Sequence, residues 1–301
     1  MSAITLALLA ALLVFGLYFA WRWFSIERAA HNSITQNWPG PLRLTIGTVT
    51  NFFDTLGIGS FAPTTSLFKL LRVVPDEQIP GTLNVGHVLP TVLQGLIFIA
   101  LVSVDATTLV GMILAAILGA RLGADVVARL PRPAIQLCMG VALLVAATLF
   151  VLSNVELLPA GGNATALHGG FLAFAIAVNF VLGALMTLGI GLYAPCLILV
   201  SLLGMNPIAA FPIMMGSCAF LMPVAAARFV VHRRYNLRAA LGLLIGGLPA
   251  VLIAAFIVKQ LPLVWLRWLV VVVIVYAAAA MLRSAWLDRR QKSTSTQQLP
   301  T

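Results

Sequence analysis

The sequence predicts an all-α polytopic membrane protein built from two inverted repeats, each a re-entrant broken-helix hairpin plus three spanning helices, preceded by one extra N-terminal span. Three observations carry this. Hydrophobic residues make up 61% of the chain and charged residues 9%, against about 25% charged in ordinary soluble domains; mean hydropathy is +1.05. Apolar runs of the length that crosses a bilayer as a helix, about 20 residues, recur along the chain. A nine-residue segment containing two glycines and a proline occurs twice. The composition excludes a soluble globular domain, a disordered chain and a secreted disulfide scaffold.

The first apolar run, 4–24, predicts a spanning helix. Arg22 lies at its end and no basic residue precedes it, which favours a retained helix over a cleaved signal peptide. Single crossings are predicted over 81–104, 106–130, 134–153, 209–231, 237–260 and 263–286. Two other stretches, 41–74 and 167–205, are too long for one crossing; the first alone would reach roughly 50 Å as one helix. Each is interrupted by Gly-x-Gly and then Pro, residues that break a helix. Each therefore predicts two short helices joined by a non-helical turn.

Those two breaks share one sequence. Thr55-Leu56-Gly57-Ile58-Gly59-Ser60-Phe61-Ala62-Pro63 matches Thr187-Leu188-Gly189-Ile190-Gly191-Leu192-Tyr193-Ala194-Pro195 at an offset of 132 residues. Pro75 and Pro80 match Pro207 and Pro212 at the same offset, and Gly111 matches Gly242 at 131. A period of this kind marks a duplicated unit. The chain divides into an extra N-terminal transmembrane helix and cytoplasmic loop (1–40), a first repeat (41–153), a second repeat (167–287) and a polar cytoplasmic tail (288–301).

The net charge of +10 does not point to nucleic acid, because the basic residues sit in short clusters between apolar runs. Retention of Arg and Lys in cytoplasmic loops explains them. If each broken segment crossed fully, the loop holding Arg129 and Arg132 would lie outside, and the uncharged loop near Val155 would lie inside. If each dips in and returns, the N-terminus is outside, the C-terminus is cytoplasmic, and only Lys259 and Arg267 are misplaced. Asn32 and Thr294 are then expected inside and Gly161 outside. Three crossings plus a hairpin reverse the orientation, which makes the repeats antiparallel, the plan of many secondary transporters.

Backbone that re-enters at membrane depth needs protein or a water-filled cavity around it. The helices leaving the two breaks begin near Phe61 and Tyr193, and a helix N-terminus is a ready anion site. The residues expected to bind substrate are Thr55, Gly57, Gly59, Ser60, Phe61, Thr64, Asn84 and His87 in the first repeat. In the second they are Thr187, Gly189, Gly191, Tyr193, Cys196 and Ser217. Asp54 and His87 are candidates for proton or ion coupling, since intramembrane ionisable groups face cavities or partners. Asp54 has Met186 as its repeat mate. Arg121 and Asp125 are four apart on one helix and read as an ion pair. Lys69 and Arg72 read as interface anchors that also gather anions. Trp23, Trp38, Trp265, Trp268 and Trp286 read as an aromatic belt. His31, His168 and His232 lack metal-ligand spacing, and Cys138, Cys196 and Cys218 form no CxxC. No cofactor and no metal are expected. No HExxH or GxSxG occurs, so an intramembrane enzyme is disfavoured.

The doubled glycine-rich, proline-ended segment resembles the TauE/SafE family of sulfite exporters. So does the following helix rich in small and hydroxyl residues, Thr82-Leu83-Asn84-Val85-Gly86-His87, with Met214-Met215-Gly216-Ser217-Cys218 as its counterpart. The likeness covers residues 44–283. It implies a secondary transporter of the bacterial inner membrane for sulfite or an organosulfur or sulfonate anion. The alternatives are an anion channel or a non-transporting membrane subunit. Expected partners are the small anion, the lipid bilayer and, as an open option, further copies of the chain in a homo-oligomer.

Overall fold

The computed structural model describes residues 2–30, 38–127, 162–186 and 192–260, with scattered positions between 133 and 157 and between 265 and 287. Among the described residues the structure is helical, with one isolated bridge between Ala164 and Met205. The helices are α1 (Ala3–Ala29), α2 (Gly40–Thr55), α3 (Phe61–Leu70), α4 (Ile79–Gly86), α5 (Val88–Leu101), α6 (Ala106–Val127), α7 (Gly169–Met186), α8 (Tyr193–Leu202), α9 (Ala210–Val231) and α10 (Leu237–Gln260). Helical positions within 133–154 and 265–287 fall in two more of the expected crossings. Five helical stretches among the described residues are long and apolar enough to cross a membrane: Ala3–Ala29, Ile79–Leu101, Gly169–Met186, Pro207–Val231 and Leu237–Val258.

Both expected broken segments are divided into two helices, but their arms are unequal. The leading arms, α2 and α7, have 16 and 18 residues, and the trailing arms, α3 and α8, have 10 each. The expectation of short leading arms is therefore corrected: α7 alone is long enough to cross. The trailing arms stop early because a left-handed residue closes each. Arg72 has φ 50° and its repeat mate Gly204 has φ 87°.

The crossing expected over 81–104 is divided at His87 into α4 and α5. Pro90 has no N–H to give to the Gly86 carbonyl one turn back, so the helix cannot continue through this point undisturbed. The repeat offset falls from 132 to 131 between Pro80 and Gly111, and the interruption lies inside that interval. Its counterpart α9 runs on without a break.

Packing follows the duplication. The most extensive helix pairs are α2 with α10 and α6 with α7, and the repeat offset turns one pair into the other. Both seams are closed on glycine. A Cβ on Gly47 would lie 2.3 Å from the Gly242 carbonyl oxygen, and one on Gly183 2.1 Å from that of Ala116. Small residues let helix backbones approach this closely. An asparagine crosses each seam: Asn51 Nδ2 donates to Leu243 O at 3.2 Å and Asn179 Nδ2 to Met112 O at 2.7 Å. Met112 and Leu243 are repeat mates, whereas Gly47 and Asn51 correspond to Asn179 and Gly183. The glycine and the asparagine have exchanged places across one helical turn.

The loops gather into two groups. In one, Trp23 Nε1 donates to the Tyr235 hydroxyl at 2.9 Å, that hydroxyl donates to Glu27, and Asn236 N–H donates to Thr82 Oγ1 at 2.9 Å. Burial and the Glu27 contact push the Tyr235 phenol well above its usual range. This group joins the end of α1, the start of α4 and the α9–α10 loop, around which Arg28, Lys69, Arg72, Arg233 and Arg234 are placed in sequence. Trp23 is 1% exposed and holds this junction, so its assignment to a lipid-facing belt is corrected; Trp38, Trp265 and Trp286 are exposed. In the other group, Asp105 N–H donates to Thr165 O and Asn206 N–H to Ala164 O, each at 2.9 Å. Asp105 also accepts the Thr108 N–H at 3.0 Å, capping α6. The Thr108 and Thr107 N–H groups hold its carboxyl below the usual range.

Candidate functional site

The first break shows why glycine is required. Gly57 N–H bonds Asp54 O at 2.9 Å and Ile58 N–H bonds Phe53 O at 3.1 Å, which closes the end of α2. Gly57 (φ 96°) and Gly59 (φ 86°) occupy conformations that L side chains rarely adopt. A Cβ on Gly57 would reach Met214 and Phe211 of the second repeat at 3.6 and 3.8 Å; one on Gly59 would meet nothing within 4 Å. In the second break, Thr187, Gly189 and Gly191 lie outside the described residues.

Around the first break sits a buried polar cluster. Asp54 is 2% exposed, and its Oδ2 accepts from Gln94 Nε2 at 2.9 Å. The same amide donates to Thr55 Oγ1 at 2.9 Å. Gln94 Oε1 accepts from the Tyr193 hydroxyl at 2.9 Å. One amide in α5 thus joins the end of α2 to the first residue of α8, across the two repeats. Ser60 faces Asp54 through both its hydroxyl and its backbone N–H. The carboxyl therefore lies at the N-terminus of α3, the place where a substrate anion is expected.

His87, wholly buried, forms the second part of the cluster. Its Nδ1 lies 3.0 Å from Asn51 Oδ1 and its Nε2 3.2 Å from Thr64 Oγ1. Asn51 Nδ2 donates to Gly47 O and Leu243 O, which fixes its Oδ1 toward the ring and places a proton on Nδ1. Thr64 Oγ1 donates to Ser60 O at 2.7 Å. If it turns, the hydroxyl can donate to a neutral Nε2; left as it is, it can accept from a protonated one. Both arrangements fix the orientation of the ring. Phe61 sits beside it, ring centroids 6.1 Å apart.

The hydroxyls near the first break have partners within the protein. Thr50, Thr55 and Thr64 each give their proton to the carbonyl one turn back, at 2.7–2.8 Å, a common use of Thr in apolar helices. The early N–H groups of α3 that remain without an intrahelical partner are those of Phe61 and Ala62, since Pro63 has none and Thr64 N–H bonds Ser60 O at 3.0 Å.

In the second repeat, Ser217 receives Asn179 Nδ2 at 3.4 Å, while Asn179 Oδ1 is buried without a partner. Cys218 Sγ lies 3.4 Å from Met186 Sδ. Asp54, Tyr193 and Cys218 are close enough to interact electrostatically, as are Cys218 and Cys196, so one site draws on both repeats. Asn84 is half-buried and returns its amide to Pro80 O, apart from the cluster. The Asp125 side chain lies outside the described residues. Among the described residues no three His, Cys, Asp or Glu side chains gather as a metal site.

Asn51, Gln94 and Asn179 were not among the residues picked out from the sequence. The signal was present: an amide inside an apolar run must find partners, because burying it alone is costly. A family model described as Sulfite exporter TauE/SafE matches residues 1–150 and 171–301. No curated protein and no solved structure matches the chain.

Proposed function

This chain belongs to the TauE/SafE sulfite exporter family, a family of membrane transporters, and from that premise we propose that it carries sulfite or a related small anion, with a proton, through a site between the two breaks. The observation that carries the reading is the buried carboxyl of Asp54 against Ser60 at the N-terminus of α3. That position attracts an anion, and an ionised Asp54 already fills it. Substrate and ionised Asp54 repel each other, so an incoming anion requires Asp54 to take up a proton. His87, with a neutral partner at each ring nitrogen, is placed to relay a proton rather than to store one.

The loop groupings support a re-entrant, antiparallel arrangement. Full crossing of the first broken segment would put the end of α1 and the start of α4 on opposite sides. Both instead meet the α9–α10 loop. Full crossing of the second would likewise separate Ala164 from Asn206, which are hydrogen-bonded. With Arg and Lys inside, the C-terminus is cytoplasmic and the Asp105 loop external. Lys69 and Arg72 line a cleft of about 330 Å³ with Phe68, Val74 and Pro75, and steer anions to the inner mouth.

The test is proton uptake on binding. Sulfite is titrated into purified protein in weakly buffered detergent solution while pH is followed. The reading predicts proton uptake beyond that of a protein-free blank, and its loss in Asp54→Asn with binding retained. Binding with no uptake in the native protein contradicts the coupling; no binding contradicts the site.

A further inference from the structure

Aligned by the repeat offset, the polar positions of the first half are sulfur positions in the second. Asp54 corresponds to Met186 and Thr64 to Cys196 at 132, and His87 to Cys218 at 131. The first three make hydrogen bonds in the cluster above. The second three are buried, at 9%, 0% and 1% exposure. Cys218 Sγ touches Met186 Sδ at 3.4 Å, and Cys196 lies near Cys218. Cys196 lies one turn into α8, behind Tyr193, whose hydroxyl is tied to Gln94 and so to Asp54. Two of the chain's three cysteines thus stand close to the buried cluster, with Cys218 near Asp54.

We infer that the second repeat supplies a soft, sulfur-lined half-site, which takes the poorly hydrated end of an anion whose charged oxygens face the helix N-termini. The substrate class is an anion with a terminal sulfur, or a similarly polarisable end, opposite its oxyanion head. This rests on the anion-transport reading and narrows it. Thiols and a thioether are weak hydrogen-bond partners, so an oxygen placed against them loses its water without replacement, at a cost. A terminal sulfur holds its water less tightly and gains dispersion contacts with polarisable neighbours. In the first repeat the same positions carry hydrogen-bonding groups, so the two ends of one anion are told apart by the asymmetry between the halves.

Thiosulfate and sulfate make the test, since they share charge and tetrahedral shape and differ by one sulfur for one oxygen. Each is used to compete with radiolabelled sulfite for uptake into proteoliposomes holding the full chain. The expected result is half-inhibition by thiosulfate at a concentration at least tenfold below that of sulfate. In Cys196→Ser and Cys218→Ser, where hydroxyls replace thiols, the ratio should fall below threefold, read against whatever sulfite uptake each variant retains. Monodisperse protein and retained sulfite uptake show that a variant has folded; Cys196→Ala and Cys218→Ala, which add no hydroxyl, provide a second set should the serine forms fail, and should lower the ratio by weakening thiosulfate alone. Equal competition by the two anions in the native protein, failure of both to compete, or a ratio unchanged in the folded variants overturns the half-site while leaving anion transport standing. Absence of protein-dependent sulfite uptake in the native protein instead overturns the transport reading.

Discussion

At the scale of single residues, the site turns on one amide. Gln94 spends both ends of its side chain, holding Asp54 and Thr55 on one side and Tyr193 on the other. Replacing it with leucine removes one hydrogen bond from each of three buried groups, which keep Ser60 (Asp54), Asn51 O (Thr55) and Thr91 (Tyr193) as partners, at about 0.5–1.5 kcal/mol per bond. Gln94→Leu is expected to lower the melting temperature in detergent and to abolish proton-coupled uptake; unchanged stability and uptake would remove the link between the breaks. Away from the site, Asp105 caps α6. Asp105→Ala should cost about 1 kcal/mol. Because the Asp105 carboxyl titrates below its ordinary value of 3.8, its contribution is complete above that value and is lost as pH falls through the lowered one. The melting-temperature gap between native protein and Asp105→Ala should therefore be full at neutral pH and close in strong acid. Asp54 and Tyr193 were legible in the sequence as polar groups beside a break, and His87 as an ionisable group inside an apolar run. Gln94 was not, since its importance lies in three partners that are 39 to 99 residues away.

At the scale of elements, the glycines do two separate jobs. At the first break they are needed for backbone conformation. Gly59→Ala adds a methyl group that meets nothing, so its effect, about 1–2 kcal/mol, is left-handed strain alone. Gly57→Leu adds both that strain and contact with Met214 and Phe211, and should be the more damaging. At the helix seams the glycines are needed for space. Gly47→Ala and Gly183→Ala should each separate a helix pair and lower stability, whereas Gly170→Ala, with open space in α7, should be neutral or stabilising. A thermal-shift series over these five variants checks the ordering. The breaks were legible because Gly-x-Gly and Pro act locally. The seams were not: which glycine meets which carbonyl depends on how distant helices cross. The interruption at His87 had a local cause in Pro90, hidden inside an otherwise continuous apolar run.

At the scale of the whole molecule, the duplication accounts for both helix seams, and the buried polar cluster draws on both halves through Tyr193 and Gln94. The helical, membrane-spanning character of the chain was readable from its apolar runs, and five of the described helical stretches have the length and polarity that a bilayer imposes. The grouping of loops required the fold. It predicts that cysteines introduced at Glu77 and Arg233 share one side of the membrane, and those at Asn163 and Asn206 the other. Impermeant labelling in intact cells should reach only the second pair; labelling of Glu77→Cys from outside would overturn the orientation. The most direct test of the central claim is sulfite flux in proteoliposomes driven by a proton gradient, measured against protein-free liposomes for the native chain and for Asp54→Asn. The account predicts accumulation above the protein-free level by the native chain. For Asp54→Asn it predicts exchange of sulfite across the membrane without proton-driven accumulation. Accumulation by Asp54→Asn equal to that of the native chain, or no protein-dependent flux in either, would contradict it.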